Sequence, residues 1–179
     1  MASPISCLSI LVIPLLVTSL FYHVSNADRA LIESVCKRAT NNSFCLSALL
    51  SDPQSSTASL YLLGIISIDL NLNVFEEADS RILDLLDTVK DSVDHSRLLN
   101  CQTNLTIAHE NLKAARNAAG GKSYTEEANL LLNVYSYIGH CKGRYYDPPV
   151  RVSPIEDLTS KMIALFDISS HIIAMIDSS

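Results

Sequence analysis

Apolar side chains recur along this chain with the alternating three-and-four spacing of helix seams. From His95 onward, Leu98, Cys101, Leu105, Ala108, Leu112, Ala115 and Ala119 advance in that rhythm, each small, aliphatic or bridging, as a helix buried along one stripe requires. The C-terminal segment repeats it through Leu158, Met162, Leu165, Ser169, Ile172 and Ile176. Between them Ala128, Leu131, Tyr135 and Ile138 give a shorter stripe. A longer run follows Asp52-Pro53: Leu60, Leu63, Ser67, Leu70, Val74, Ala78, Ile82, Leu85 and Val89. It predicts a helix of about 35 residues, roughly 50 Å long at the α-helical rise.

The punctuation between these stripes is short. Asp91 to Asp94 and Gly120 to Lys122 separate long amphipathic segments, and a Tyr- and Pro-rich link from Tyr145 to Ser153 leads into the last one. Helices are expected from about His95 to Ala119 and from Ser123 to Cys141. Gly120-Gly121 predicts the helix end between them, because glycine accepts the left-handed backbone angles of a C-terminal cap. Pro154 reads as the first residue of the final helix, with Ser153 as its cap and Glu156-Asp157 at the positive end of its dipole. No alternating Val, Ile or Thr run is bounded by hairpin dipeptides, and Ser55 to Asp91 holds one Gly and no Pro, so strands are not expected. Short links make successive helices antiparallel. The expected fold is all-α: an up-down-up-down four-helix bundle over 54–179, preceded by an N-terminal disulfide-bridged helical hairpin over 28–53.

The cysteines fit that architecture. Cys101 and Cys141 are equidistant from Gly121, so folding back at the glycines brings both to one height on adjacent helices. Cys36 and Cys45 flank the turn-forming run Thr40-Asn41-Asn42-Ser43. Ser6 to Phe21 is apolar apart from Ser and Thr, short for a span that needs at least about 18 residues. Ser25-Asn26-Ala27 follows it, which predicts a secretion signal over 1–27, cleaved before Asp28. No Lys or Arg precedes the apolar run, so only the α-amino group supplies positive charge there. Cleavage removes Cys7 and leaves an even number of cysteines for an oxidising compartment. Three connectivities are then possible, and the hairpin geometry favours Cys36 with Cys45 and Cys101 with Cys141. The bridge across the ~40-residue hairpin should stabilise by about 4 kcal/mol and the small one by less.

The net charge is −6 and no block of five or more basic residues occurs, which disfavours nucleic acid and anionic membranes as partners and favours a basic one. Asn41-Asn42-Ser43 and Asn104-Leu105-Thr106 make Asn41 and Asn104 candidate glycosylation sites on an exported chain. Catalytic patterns are sparse. Among His95, His109, His140 and His171 no two lie three or four apart, as a helical metal-ligand pair would require, so neither metal nor cofactor is expected. Gly120-Gly121-Lys122-Ser123 copies the tail of a phosphate-binding loop, but Arg116 stands where that loop needs glycine and a helix precedes it. Glu76, Glu77, Asp79, Asp84, Asp87, Asp91 and Asp94 are interspersed with Arg81 and Lys90, the composition of a solvated face. Paired catalytic carboxylates need a cleft that raises one pKa, and a bundle interior of Leu and Ala offers none. Tyr135, Tyr137, Tyr145 and Tyr146 could serve recognition, although Tyr135 falls on the core stripe and Tyr145-Tyr146 on the link. The working part of a rigid, doubly bridged, exported bundle is therefore expected to be its surface.

Val35-Cys36-Lys37 through Phe44-Cys45, Asp52-Pro53-Gln54-Ser55, Leu98-Leu99-Asn100-Cys101, Tyr124-Thr125-Glu126-Glu127-Ala128-Asn129, Cys141 and Ser153-Pro154 occur in an order that resembles the plant invertase and pectin methylesterase inhibitor family over the whole mature chain. The resemblance implies a four-helix bundle with an N-terminal hairpin that binds a cell-wall enzyme stoichiometrically and covers its active-site cleft. It also implies residence in the apoplast, or in the vacuole for an invertase-directed member. Invertase inhibitors of the best-understood kind carry Pro-Lys-Phe between the second and third bundle helices, where this chain has Lys122-Ser123-Tyr124, and relatives usually place tyrosine where Leu105 stands. The favoured partner is pectin methylesterase and the alternative is acid invertase, met by a monomer or weak dimer. Candidate contacts lie outside the stripes: Thr103, Thr106, Glu110, Asn117, Lys122, Tyr124 and Glu127. The other reading is a secreted helical binding or signalling protein; a seam mixing Ala with Leu, without an enlarged aromatic-lined space, speaks against a lipid or hormone carrier.

Overall fold

The computed structural model describes residues 29–178; the expected secretion signal and its cleavage point lie outside them. Six helices and no strand occur among the described residues: α1 over 29–36, α2 (Asn42–Leu50), α3 (Leu60–Thr88), α4 (Ser92–Gly120), α5 (Tyr124–Gly143) and α6 (Glu156–Asp177). A 3-10 turn, Pro53–Thr57, precedes α3.

Helices α3 to α6 close a ring, with α3 on α4 and α6, and α5 on α4 and α6. Short links and this adjacency give the up-down-up-down bundle. The seams explain the packing. Leu98, Cys101, Leu105, Ala108, Leu112, Ala115 and Ala119 are all buried on α4, and Leu158, Met162, Leu165, Ser169 and Ile172 on α6. Small residues draw α3 and α6 together: Ser67 and Ser169 share a buried hydrogen bond of 2.8 Å. A methyl group at Gly64 would stand 3.2 Å from Ile172 Cγ2, so glycine suits this close approach. Asn71, also buried, donates from Nδ2 to the Met162 carbonyl at 3.2 Å.

Side-chain caps set the starts of α2, α3 and α4, and two helix starts differ from the expected ones. Helix α3 has 29 residues rather than about 35. Asp52 accepts from Gln54 N to start the 3-10 turn, and Ser59 accepts from Leu62 N to start the α-helix, so one apolar run holds two elements. Asp91 caps α4 by accepting from Val93 N and Asp94 N. Helix α6 begins at Glu156, two residues past Pro154. Ser153 is buried and accepts from Ile155 N at 3.3 Å, holding a turn before the helix instead of capping it. The acids of the first turn reach outward, Glu156 to Lys142 at 2.6 Å and Asp157 to Arg81 at 2.8 Å. The Arg81 hydrogen bond holds the Asp157 carboxyl below its usual range.

Cys36 and Cys45 are bonded, and Ile32, Val35 and Leu49 are wholly buried with them. The hairpin lies on the bundle, α2 against α3 and α6, and Thr40 N donates to Asp167 Oδ2 of α6 at 2.8 Å. At the other end of α5, Tyr145 is buried beneath Arg97, which donates to the Asp147 carbonyl at 2.8 Å, while Tyr146 is exposed.

Candidate functional site

Helices α4 and α5 form one long hairpin, bonded at its far end by Cys101 and Cys141 with Cα atoms 4.5 Å apart. The outward stripe of α4 runs Leu99, Thr103, Thr106, Glu110, Lys113 and Asn117, all exposed. The Thr103 and Thr106 hydroxyls donate back to the carbonyls of Leu99 and Gln102 at 3.1 and 2.8 Å, leaving oxygen lone pairs and methyl groups outward. Lys113 donates to Glu110 at 3.0 Å. At 29 residues, α4 is a ridge roughly 44 Å long at 1.5 Å per residue.

The turn joining the helices departs from the expected chemistry. Neither glycine takes a positive φ; Lys122 does, at 58°. Ser123 N donates to the Ala118 carbonyl and Lys122 N to the Ala119 carbonyl, both at 2.9 Å, the paired bonds of a Schellman ending. Helix α4 runs on through Gly120 and Gly121 keeps right-handed angles, which pushes the left-handed position onto the lysine. A side chain there costs roughly 1–2 kcal/mol relative to the right-handed form. The Lys122 ammonium lies 5.9 Å from the centre of the Tyr61 ring of α3, a cation–π contact that offsets part of that cost. Tyr124 is half-buried and, with Lys122, Glu126, Asn129 and Asp177, walls an open groove of about 660 Å³ beside the turn.

On α5 the buried positions are Glu127, Leu131, Val134, Ile138 and Cys141. Two expectations are thereby corrected. Glu127, expected as a surface contact, is only 2% exposed and sits on the seam. Burial pushes its carboxyl up to about 7. Tyr135, expected in the core, is 47% exposed and stacks on Phe166 of α6 with ring centres 4.9 Å apart. Leu132, at 59%, joins it on the outer face of α5. Sequence reasoning missed Leu132 and Tyr135 as surface residues; counting the seam back from Cys141 in steps of 3 and 4 would have found both and buried Glu127.

This arrangement suits docking rather than bond-making. Among the described residues no group of three or more His, Cys, Asp and Glu is placed to hold a metal ion. His109 stacks on Phe75 at 5.6 Å, and burial lowers its pKa. Asp79, Asp84 and Asp87 are exposed along α3. Arg81 answers two of the carboxylates around it, Glu77 and Asp157.

Known proteins share this plan. Residues 30–175 match the family described as plant invertase/pectin methylesterase inhibitor. A pectinesterase inhibitor of Actinidia deliciosa is 28% identical over 161 residues, covering 89% of this chain and 87% of its own. The cell wall / vacuolar inhibitor of fructosidase 2 of Arabidopsis thaliana is 27% identical over 157 residues, covering 87% of each. Among solved structures, a mutant form A of an Arabidopsis pectin methylesterase inhibitor superposes with a TM-score of 0.71 at 17% identity, over 80% of this chain and 95% of that one. A pectin methylesterase inhibitor from Arabidopsis thaliana superposes with 0.62 at 16%, over 82% and 95%. At such identities the superpositions speak for the bundle and its hairpin. The sequence match spans both disulfides and all four bundle helices, and on it the chain belongs to the plant invertase/pectin methylesterase inhibitor family, whose members are inhibitors and not enzymes.

Proposed function

We propose that the chain inhibits a plant cell-wall carbohydrate-active enzyme, pectin methylesterase first, by laying the α4–α5 hairpin over the enzyme's active-site cleft in a stoichiometric complex. The observation that carries this reading is the clamped hairpin: an exposed ridge with about 30 Å between a disulfide at one end and a Schellman turn at the other. A standard protein–protein interface takes about 800 Å² per partner, which a face of that length supplies. A face held by covalent and packing constraints loses little conformational entropy on docking, so its contacts are not spent on ordering it.

Thr103, Thr106, Glu110, Asn117, Lys122 and Tyr124 are the contact residues of this proposal; Leu132 and Tyr135 border the α5–α6 side of the hairpin instead. Glu127 is withdrawn from direct contact by its burial. The hairpin over 28–53 and the bundle over 54–179 act as one inhibitor domain, exported to the apoplast after removal of 1–27. The relative named for pectinesterase supports the first target, and the fructosidase inhibitor, within one per cent of the same identity, supports acid invertase as the second; that target would also admit the vacuole.

Titration of the oxidised protein against a purified pectin methylesterase and, separately, an acid invertase tests both readings. Linear loss of esterase activity to a one-to-one endpoint is expected. Loss of invertase activity alone would transfer the proposal to the second target, and loss of neither would overturn it.

A further inference from the structure

The two asparagines of the acceptor triplets stand in opposite circumstances. Asn41 is exposed and caps α2: its Oδ1 accepts from Phe44 N at 3.1 Å and from the Ser43 hydroxyl at 3.0 Å. Its Nδ2 donates to no described residue, and the backbone there is extended, with φ −122° and ψ 92°. The triplet's hydroxyl therefore rests against the capping amide at the start of the helix. Asn104 lies within α4, part-buried, with Nδ2 committed to the Asn100 carbonyl at 2.8 Å and to Asn100 Oδ1 at 3.1 Å. Its triplet's Thr106 hydroxyl is turned away to Gln102. A sugar on Asn104 Nδ2 would replace one of those protons and break a bond that orders the helix surface.

Asn41 also borders a groove. Thr40, Asn41 and Phe44 of the N-terminal hairpin face Tyr135 of α5 and Phe166 and Asp167 of α6 across about 360 Å³. That is near the lower end of the roughly 300–1,000 Å³ of small-molecule sites, the scale of a single sugar ring. Its walls suit one: the Tyr135–Phe166 stack offers an aromatic face for the apolar face of a pyranose, and Thr40, Ser160 and Asp167 add polar lining residues, the Asp167 carboxylate already accepting from Thr40 N. Tyr135 stays 47% exposed despite that stack. The occupant is specified by attachment, because Asn41, the acceptor residue, is itself one of the groove's lining residues.

We propose that Asn41 bears an N-linked oligosaccharide whose first sugar ring lies in the groove walled by Phe44, Tyr135 and Phe166, while Asn104 stays bare. In the transfer, Asn41 Nδ2 attacks the anomeric carbon of a lipid-diphosphate-linked oligosaccharide. The N–C bond forms as the bond from carbon to phosphate oxygen breaks, one Nδ2 proton passes to base, and the lipid diphosphate leaves. The inference rests on the export reading, since the donor belongs to the secretory route.

The full chain expressed in plant cells should appear in the medium, beginning near Asp28. Deamidating deglycosylation in heavy-oxygen water should label Asn41 and not Asn104. Ser43→Ala and Asn41→Asp, the second keeping a capping oxygen, should each abolish the mass shift, and Asn104→Gln should leave it. Secreted, processed protein with Asn41 bare, or with Asn104 labelled, overturns the site while leaving export standing. Retention in the cell with an uncleaved N-terminus overturns export and the glycan together. For the seat, the intact glycoprotein should melt at a higher temperature than its enzymatically stripped form, and Tyr135→Ala should erase that gain at unchanged Asn41 occupancy. An equal gain in both chains overturns the groove as the sugar's seat.

Discussion

Cys101 and Cys141 hold α4 and α5 with their Cα atoms 4.5 Å apart at the open end of the hairpin, and both are wholly buried. Reduction would free a loop of about 40 residues in the unfolded chain, worth about 4 kcal/mol on the loop-closure scale. The Cys36–Cys45 loop is about ten residues, for which the same relation gives roughly 3 kcal/mol. Cys101→Ala with Cys141→Ala should therefore lower Tm by roughly 8–16 °C, and the Cys36 and Cys45 pair by less. Calorimetry of the two double variants checks the order; equal losses would mean that native contacts, and not loop length, set what each bridge contributes.

Glu127 gives the fold a pH dependence. Its folded pKa, about 7, is above its unfolded value, so between them the native state binds more protons than the unfolded chain and stability falls as pH rises. The contribution is complete below the unfolded carboxylate pKa and gone above about 7. For a side chain 2% exposed, the bound on this loss is about 3 kcal/mol. Urea unfolding of the native chain should show its midpoint falling from pH 4.5 to pH 7, and Glu127→Gln should flatten that slope. A slope unchanged by the substitution would assign the pH dependence to other groups.

The same residue shows how far the pattern of the chain carries. Seams on α4 and α6 are legible because every member is apolar or small, and two of the cysteines mark where α4 and α5 meet. On α5 the stripe through Ala128 and Tyr135 and the true one through Glu127, Leu131, Val134, Ile138 and Cys141 share members, and Glu127 beside Ala128 argues for the wrong register by polarity alone. Only the disulfide breaks the tie. The start of α6 was hidden for another reason: Ser153, read as a helix cap, is spent on a preceding turn. The hairpin's docking was illegible in turn because its bond from Thr40 N reaches a carboxylate 127 residues away.

Lys122 separates stability from recognition. Its left-handed φ of 58° costs roughly 1 kcal/mol that glycine would not incur. Lys122→Gly should raise Tm by a few degrees, less the loss of the Tyr61 contact. If the lysine reaches the target enzyme, the same substitution should weaken inhibition. Lys122→Asn, which tolerates the left-handed conformation but carries no charge, should weaken it similarly without the full gain in Tm. Unchanged inhibition by both variants would remove Lys122 from the contact surface.

Charge should act on encounter more than on the docked complex. The chain carries −6, and a basic target would be drawn to it over distances set by the Debye length, about 30 Å at 0.01 M salt and 8 Å at 0.15 M. Exposed pairs such as Lys113 with Glu110 add little to stability but belong to the field that steers approach. Raising salt across that range should slow association by about tenfold or more while dissociation changes little. Glu110→Gln should reduce the salt slope of the association rate if α4 faces the enzyme. Stopped-flow inhibition at several ionic strengths measures both rates, and an association rate indifferent to salt would show that shape alone brings the partners together.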